Sequence, residues 1–288
     1  MNFGRVLTAM VTPFDNDGKL DIEQTSVLVE YLLDNGTDGL VIAGTTGESP
    51  TLTMDEKIKL YKHVVQQVNG RVPVIAGTGN NNTAASIKLT EEAQICGVDA
   101  IMLVTPYYNK PSQHGMYEHF AAIAKVTDLP VMLYNIPGRS VVNMTAETII
   151  NLSLIDNIVS VKEASGDLDQ ISEIIENTDD DFTVYSGDDG LTLPMLSVGA
   201  DGIISVASHV IGNEIKTMVN HFFDGKPMEA ASIHRKLLPI MNGLFLAPNP
   251  SPVKAALQMK GIETGSVRLP LIPLTDEEMD QLKGLLDK

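Results

Sequence analysis

Three stretches of the chain repeat one phrase: Gly36-Thr37-Asp38-Gly39-Leu40-Val41, Gly97-Val98-Asp99-Ala100-Ile101-Met102 and Gly199-Ala200-Asp201-Gly202-Ile203-Ile204. Each follows a stretch with apolar residues at helical spacing and opens a short apolar run. The leading glycine suits the left-handed position that ends a helix. The apolar run suits a strand buried on both faces. The phrase reads as a helix-to-strand junction. A chain that repeats it must alternate helices and strands in a parallel sheet.

Further strand candidates lie between these junctions: Val6–Val11, Val72–Ala76, Pro130–Tyr134, Asn157–Val161 and Phe182–Ser186. Together they make eight. Helical spacing separates them over Leu20–Asn35, Met54–Val68, Thr83–Cys96, Ser112–Val126, Thr145–Leu152, Leu168–Glu176 and Gly190–Val198. Thr53-Met54-Asp55-Glu56 has the form of a capping box. Eight βα units in about 210 residues predict an α/β fold, a closed (β/α)8 TIM barrel. An open doubly wound sheet is the alternative, but no dinucleotide glycine fingerprint follows the first strand. Val210–Phe223 is expected to close the barrel. Pro227–Leu246, Pro252–Lys260 and Asp276–Leu286 are expected to form a C-terminal helical appendage. The expected division is 1–224 for the catalytic barrel and 225–288 for the helical domain.

Composition narrows the function. A formal net charge of -17 over 288 residues argues against nucleic acid and anionic membranes, which call for basic patches. No run of about 18 apolar residues is present, so no membrane span is expected. Cys96, the single cysteine, reads as a small buried residue at a helix end. With no signal-peptide layout at Met1-Asn2-Phe3-Gly4-Arg5, the expected location is the cytoplasm. The six histidines are scattered. His114 and His119 are five apart, on different helix faces, and read as surface positions rather than metal ligands.

In a barrel the chemistry sits at the carboxyl ends of the strands. After the second strand comes Ala43-Gly44-Thr45-Thr46-Gly47-Glu48, whose hydroxyls and amides suit a small carboxylate or phosphate, or a capped turn. After the fourth comes Thr105-Pro106-Tyr107-Tyr108-Asn109, with two tyrosines suited to proton transfer or to a subunit interface. After the fifth comes Tyr134-Asn135-Ile136-Pro137-Gly138-Arg139, where Pro-Gly reads as a tight turn. Arg139 presents a planar fork for a carboxylate, or a surface salt bridge. The sixth ends at Lys162. A buried strand-end amine that loses its proton is a Schiff-base nucleophile; the plain alternative is pairing with Glu163. After the seventh, Gly187 admits backbone close to a ligand, and Asp188-Asp189 read as helix caps.

As an ordered set these motifs resemble the dihydrodipicolinate synthases (4-hydroxy-tetrahydrodipicolinate synthases) of the pyruvate-dependent class I aldolase superfamily. The resemblance covers essentially the whole chain, from Thr12-Pro13 to Pro250-Ser251-Pro252-Val253-Lys254. It implies a lyase of diaminopimelate and lysine biosynthesis that joins pyruvate to L-aspartate 4-semialdehyde, with neither metal nor organic cofactor. It makes Lys162 the Schiff-base lysine and Tyr134 the general acid/base beside it. Thr45 and Tyr108 become the relay from Tyr134 to solvent. Thr46 binds the pyruvate carboxylate and Arg139 the carboxylate of the second substrate. Gly187 and Ile204 turn main chain toward the intermediate. Tyr107 resembles the tyrosine that crosses the tight-dimer interface, and a homotetramer of tight dimers is implied, with some relatives stopping at the dimer.

Two other readings stay open. One is an aldolase of the N-acetylneuraminate lyase kind or another 2-keto acid aldolase, against which Arg139 speaks. The other is a non-catalytic small-molecule-binding barrel, against which Lys162 and Tyr134 together speak. Some family members are inhibited by lysine near positions matching Ser49, Asn81 and Tyr107. Here Lys57 replaces a histidine and Ala85 a glutamate of the sensitive members. A cation there repels lysine, so feedback is expected to be weak or absent.

Overall fold

The computed structural model describes residues 3–287. Met1 and Asn2 of the N-terminal reading, and Lys288 at the end of the expected helical domain, lie outside the described residues. In chain order the elements are β1 (Val6–Ala9), α1 (Ile22–Asp34), β2 (Gly39–Ile42), α2 (Met54–Val68), β3 (Val74–Gly77), α3 (Thr83–Cys96), β4 (Ala100–Val104) and α4 (Gln113–Ala124). They continue with β5 (Val131–Asn135), α5 (Pro137–Ser140), α6 (Ala146–Ser153), β6 (Ile158–Glu163), α7 (Leu168–Asn177), β7 (Thr183–Ser186), α8 (Thr192–Ser197), β8 (Gly202–Ser205) and α9 (Ser208–Phe223). The chain ends with α10 (Pro227–Gly243), α11 (Ser251–Met259) and α12 (Asp276–Leu286). The eight strands pair in parallel and in sequence order, and β8 closes onto β1. This is the expected TIM barrel. Among the described residues no helix is long and apolar enough to cross a membrane.

The repeated phrase has a physical explanation. Gly36, Gly97 and Gly199 all have positive φ and end their helices. The aspartate two residues on then reaches the neighbouring strand. Asp38 accepts from the Val6 amide at 3.0 Å, Asp99 from Val74 at 2.8 Å and Asp201 from Val184 at 2.7 Å. Each occupies a backbone donor that the sheet leaves open where a strand begins. The phrase therefore seals the amino end of the barrel, opposite the carboxyl ends of the strands.

Two apolar layers result. An inner cluster inside the barrel holds Leu7, Ala9, Met102, Met132, Tyr134, Tyr185 and Ile204. An outer cluster lies between strands and helices. The outer cluster also takes in Met241, Leu244, Val253, Leu257 and Leu282, so the segment after Asp224 shares the barrel's outer core.

Alternation breaks between β5 and β6. The pairing of β5 with β6 shifts between Val131 and Met132, which skips Val159. Val159 packs with the inner cluster, yet Val161, two residues on, belongs to the outer one. A bulge of this kind reverses which residues face inward. Lys162 consequently points into the barrel and Glu163 out of it.

Several local expectations change. Pro137–Ser140 is a single helical turn rather than a tight Pro-Gly turn. Lys162 lies within β6, not after it. His119 is not a surface residue: it is 7 % exposed, bonded to the Thr83 hydroxyl at 2.9 Å, and burial lowers its pKa to about 4. The helix after β7 begins without a side-chain cap. Asp188 instead holds the turn amides of Gly190 and Leu191, and Asp189 turns inward.

Candidate active site

Strand register builds the centre of the site. Tyr134 on β5 is the register partner of Lys162 on β6. Parallel neighbours lie about 4.8 Å apart, so two inward side chains at one level must touch. The Lys162 amine rests 4.3 Å from the centroid of the Tyr134 ring. Both residues are buried, at 5 % and 3 % exposure. Burial disfavours the charged forms and moves the two groups apart. It lowers Lys162 to about 8, with Arg139 adding to the decrease and Asp189 opposing it. It raises Tyr134 to about 12, opposed by Arg139 and by a hydrogen bond with Thr45. The lysine thus has a ready neutral form, while the tyrosine keeps its proton.

Glu163 does not neutralise the amine. It accepts hydrogen bonds from Asn135, the Ser165 amide and Gln170 on the outer face of the strand. The carboxylate that does bear on Lys162 is Asp189, fully buried after β7. It is held by the Ser205 hydroxyl and the amides of Val206 and Ala207 at 3.1 Å. Gly187 gives the lysine its room: a Cβ there would stand 3.1 Å from Lys162 Cε and 2.8 Å from Ala164 Cβ. Ile204 completes the inner wall.

The loop after β2 is tightly wound. Ala43 and Glu48 both have positive φ, and a Cβ on Gly47 would come 3.1 Å from the Ala43 backbone and from the Met10 carbonyl. The winding buries Thr46, whose hydroxyl accepts from Asn249 Nδ2 at 2.9 Å. Below it, Glu48 meets Lys254 of α11 at 2.9 Å and accepts from the Arg268 amide at 2.9 Å. The C-terminal segment thereby forms one wall of the site. Sequence reasoning missed Asn249, because the proline-rich run 247–252 reads as a break between helices. It also missed the inward turn of Asp189. Only the acid's place at a strand end hinted at it.

A cavity of about 230 Å³ opens beside this centre. Thr45, Tyr107, Tyr134, Arg139 and Lys57 are among its walls, and Lys162 is not. The amine is covered by the Tyr134 ring and adjoins the cavity rather than lining it. The Arg139 guanidinium is exposed and has no hydrogen bond or ion pair among the described residues, unlike Arg71 and Arg268. It is free to take an anion. Tyr107 faces this cavity. Tyr108 does not join the group: it is 89 % exposed, at φ 72°. Among the described residues no cluster of histidine, cysteine and acids is arranged to hold a metal.

Comparison with known proteins agrees along the full length. Residues 2–288 match the model of the dihydrodipicolinate synthetase family. The chain is 64% identical to 4-hydroxy-tetrahydrodipicolinate synthase 2 of Halalkalibacterium halodurans, over 100% of this chain and 99% of that one. It is 61% identical to the 4-hydroxy-tetrahydrodipicolinate synthase of Bacillus subtilis, over 100% of both chains. The crystal structure of a dihydrodipicolinate synthase from Bacillus anthracis superposes with a TM-score of 0.99 at 59% identity, covering 100% of this chain and 99% of that chain.

Proposed function

The chain belongs to the dihydrodipicolinate synthetase family, and from that premise we propose that it is a 4-hydroxy-tetrahydrodipicolinate synthase working through an imine on Lys162. The observation that carries the reading is the buried amine of Lys162, lowered to about 8 and set against the ring of Tyr134. Neutral Lys162 attacks the ketone carbon of pyruvate, and the carbinolamine loses water to give an iminium ion. The iminium draws electrons from the methyl group, which gives up a proton to become an enamine. Tyr134, still protonated, passes protons at these steps through its bond with Thr45. The enamine carbon adds to the aldehyde of L-aspartate 4-semialdehyde. The amine of that substrate then displaces Lys162, closes the ring and frees the enzyme. One water leaves overall, and no organic cofactor is called for.

Thr46 is suited to the pyruvate carboxylate, because its hydroxyl accepts from Asn249 and so has its own proton to give. Arg139 is suited to the carboxylate of the aldehyde. Gly187 and Ile204 shape the wall around the intermediate. Tyr108 is the exposed member of the tyrosine pair and Tyr107 faces its own chain's cavity. The crossing role that the family resemblance gave to Tyr107 therefore suits Tyr108. In this reading Tyr108 completes the relay of a second copy, and a tight dimer within a homotetramer in the cytoplasm is the working unit. Hybrids of Tyr108→Phe and Lys162→Ala subunits should then regain activity that neither parent has. Hybrids as inactive as the parents would refute the crossing.

The test of the whole reading is a rate assay of pyruvate with L-aspartate 4-semialdehyde, run beside N-acetylneuraminate cleavage. The condensation should dominate, and millimolar L-lysine should leave it unchanged. Preferential cleavage would overturn the substrate, and submillimolar inhibition would overturn the lysine insensitivity.

A further inference from the structure

Lys162 and Glu163 are neighbours on β6 that face opposite ways, and the condensation makes no use of the outward one. Glu163 is fully buried, yet among the described residues it has no ion pair. Its carboxyl oxygens meet donors alone. Asn135 Nδ2 donates to both at 3.1 Å, the Ser165 amide to Oε1 at 2.8 Å and Gln170 Nε2 to Oε2 at 3.4 Å. Backbone groups fix both amides in this sense. The Met144 amide donates to Asn135 Oδ1 at 3.0 Å, and Gln170 Nε2 donates to the Met144 carbonyl at 3.3 Å. Asn143 closes the circuit, accepting from Asn135 at 2.8 Å and donating to Gln170 Oε1 at 2.8 Å. Burial raises the pKa of Glu163, and the bonds from Asn135, Ser165 and Gln170 oppose the rise. An isosteric amide at this position would turn its own N–H groups against donors.

The circuit sits one step from the centre of the site. Tyr134 pairs with Lys162, and the next rung pairs Asn135 with Glu163. Below the bulge Val131 pairs with Ile158; above it Met132 pairs with Ser160. Without the bulge Tyr134 would stand against Val161, and Asn135 against Lys162. The apolar pattern of β6 chooses weakly between these registers, because Ile158, Val159 and Val161 fall on both parities. Backbone ladder bonds form in either. The Asn135–Glu163 pair forms in only one of them.

We propose that Glu163 is a positioning residue for the amine of Lys162: its carboxylate locks Asn135 on the outer face and so holds the register that sets Lys162 against Tyr134. Its importance for turnover rests on the imine reading given above. Loss of the lock lets the two strands shift and admits water to the amine. Lys162 then moves back toward an ordinary lysine. The groups acting on that amine are Tyr134 beside it, Asp189 after β7 and Arg139 after β5. Glu163 acts through geometry and not through its charge.

The test is competitive labelling of the full-length enzyme with limiting acetic anhydride over a pH series, read at each lysine by peptide mapping. It needs no pyruvate. The wild-type midpoint at Lys162 should fall at about 8. In Glu163→Gln it should rise by about one pH unit or more, which leaves about tenfold less neutral amine at pH 7. Lys254, also lowered to about 8 and remote from the circuit, should keep its midpoint. Gln170→Leu spares the Asn135–Glu163 pair but removes its outer support, and should shift Lys162 in the same sense by less. An unmoved Lys162 midpoint in Glu163→Gln would overturn the proposal. Equal shifts at Lys162 and Lys254 would overturn it in favour of a general loosening of the fold. Should Glu163→Gln fail to fold, Gln170→Leu decides, and an unmoved midpoint there would overturn the lock. Absence of a borohydride-trapped pyruvyl group in wild type would instead strike the imine reading, and the labelling midpoints would still report on the register.

Discussion

Lys162 and Lys254 are both buried lysines, each lowered by burial to about 8, yet their surroundings are opposite. Lys254 is saturated. Its amine meets Glu48 at 2.9 Å, donates to the Ser266 carbonyl at 2.9 Å and lies 4.3 Å from the Phe14 ring. Among the described residues Lys162 has an aromatic ring for company and no acid in contact; Asp189 acts on it only through space and is tied to Ser205 of β8. The comparison teaches that a lowered pKa does not identify a nucleophile. Both amines lost water on burial, but one was given a fixed partner and the other kept its lone pair available. Lys254 ties the C-terminal segment to the loop after β2, whereas Lys162 faces that loop's product, the site.

Exchanging the two roles by mutation should give distinct losses. The largest belongs to Lys162→Ala. Condensation should fall by at least about 10³-fold, in line with removal of a covalent nucleophile, and the far-ultraviolet circular dichroism should be retained. A variant that keeps a tenth of wild-type turnover would end the comparison. Next comes Lys254→Met, which strands Glu48 as a buried carboxylate. Removing one partner of such a pair costs about 3–5 kcal/mol. The urea midpoint should drop accordingly, while pyruvate trapping at Lys162 persists below the transition. The double variant Glu48→Gln with Lys254→Met should lose less than the single one. Smallest is Asn249→Ala, which removes the hydrogen bond to Thr46. KM for pyruvate should rise about fivefold with little change in kcat, as expected for roughly 1 kcal/mol of binding. Combined with Thr46→Val it should add little further. A fall in kcat alone would place Asn249 in the chemistry and not in binding.

The barrel was legible because its signal is redundant. Gly36, Gly97 and Gly199 mark helix ends, and β-branched and apolar runs mark doubly buried strands. α2, α3 and α12 fall at their expected bounds, since Thr53 caps the first and helical spacing carries the others. The pairing of Lys162 with Tyr134, proposed above as the catalytic pair, was legible from strand-end position and family resemblance. What decides that Lys162 and not Glu163 faces inward was not legible. That depends on the shift past Val159, a property of pairing between β5 and β6 rather than of either sequence. Asn249 was hidden for a similar reason. Its partner Thr46 is more than 200 residues away, and the bond exists only once the C-terminal helices fold back. His119 was misread because five-residue spacing says which faces two residues occupy, and not which face the neighbouring α3 covers.

The most direct measurement is the pH dependence of imine formation at Lys162, followed by borohydride trapping with pyruvate and peptide mapping. Below its pKa the amine is protonated and inert. The rate should rise tenfold per pH unit and level off above about 8. At pH 7 this gives about 300-fold more neutral amine than a lysine at its ordinary 10.5. A plateau near pH 8 with the reduced pyruvyl group mapped to Lys162 is the predicted result. A rate still climbing through pH 10, or an adduct on another lysine, would contradict the account.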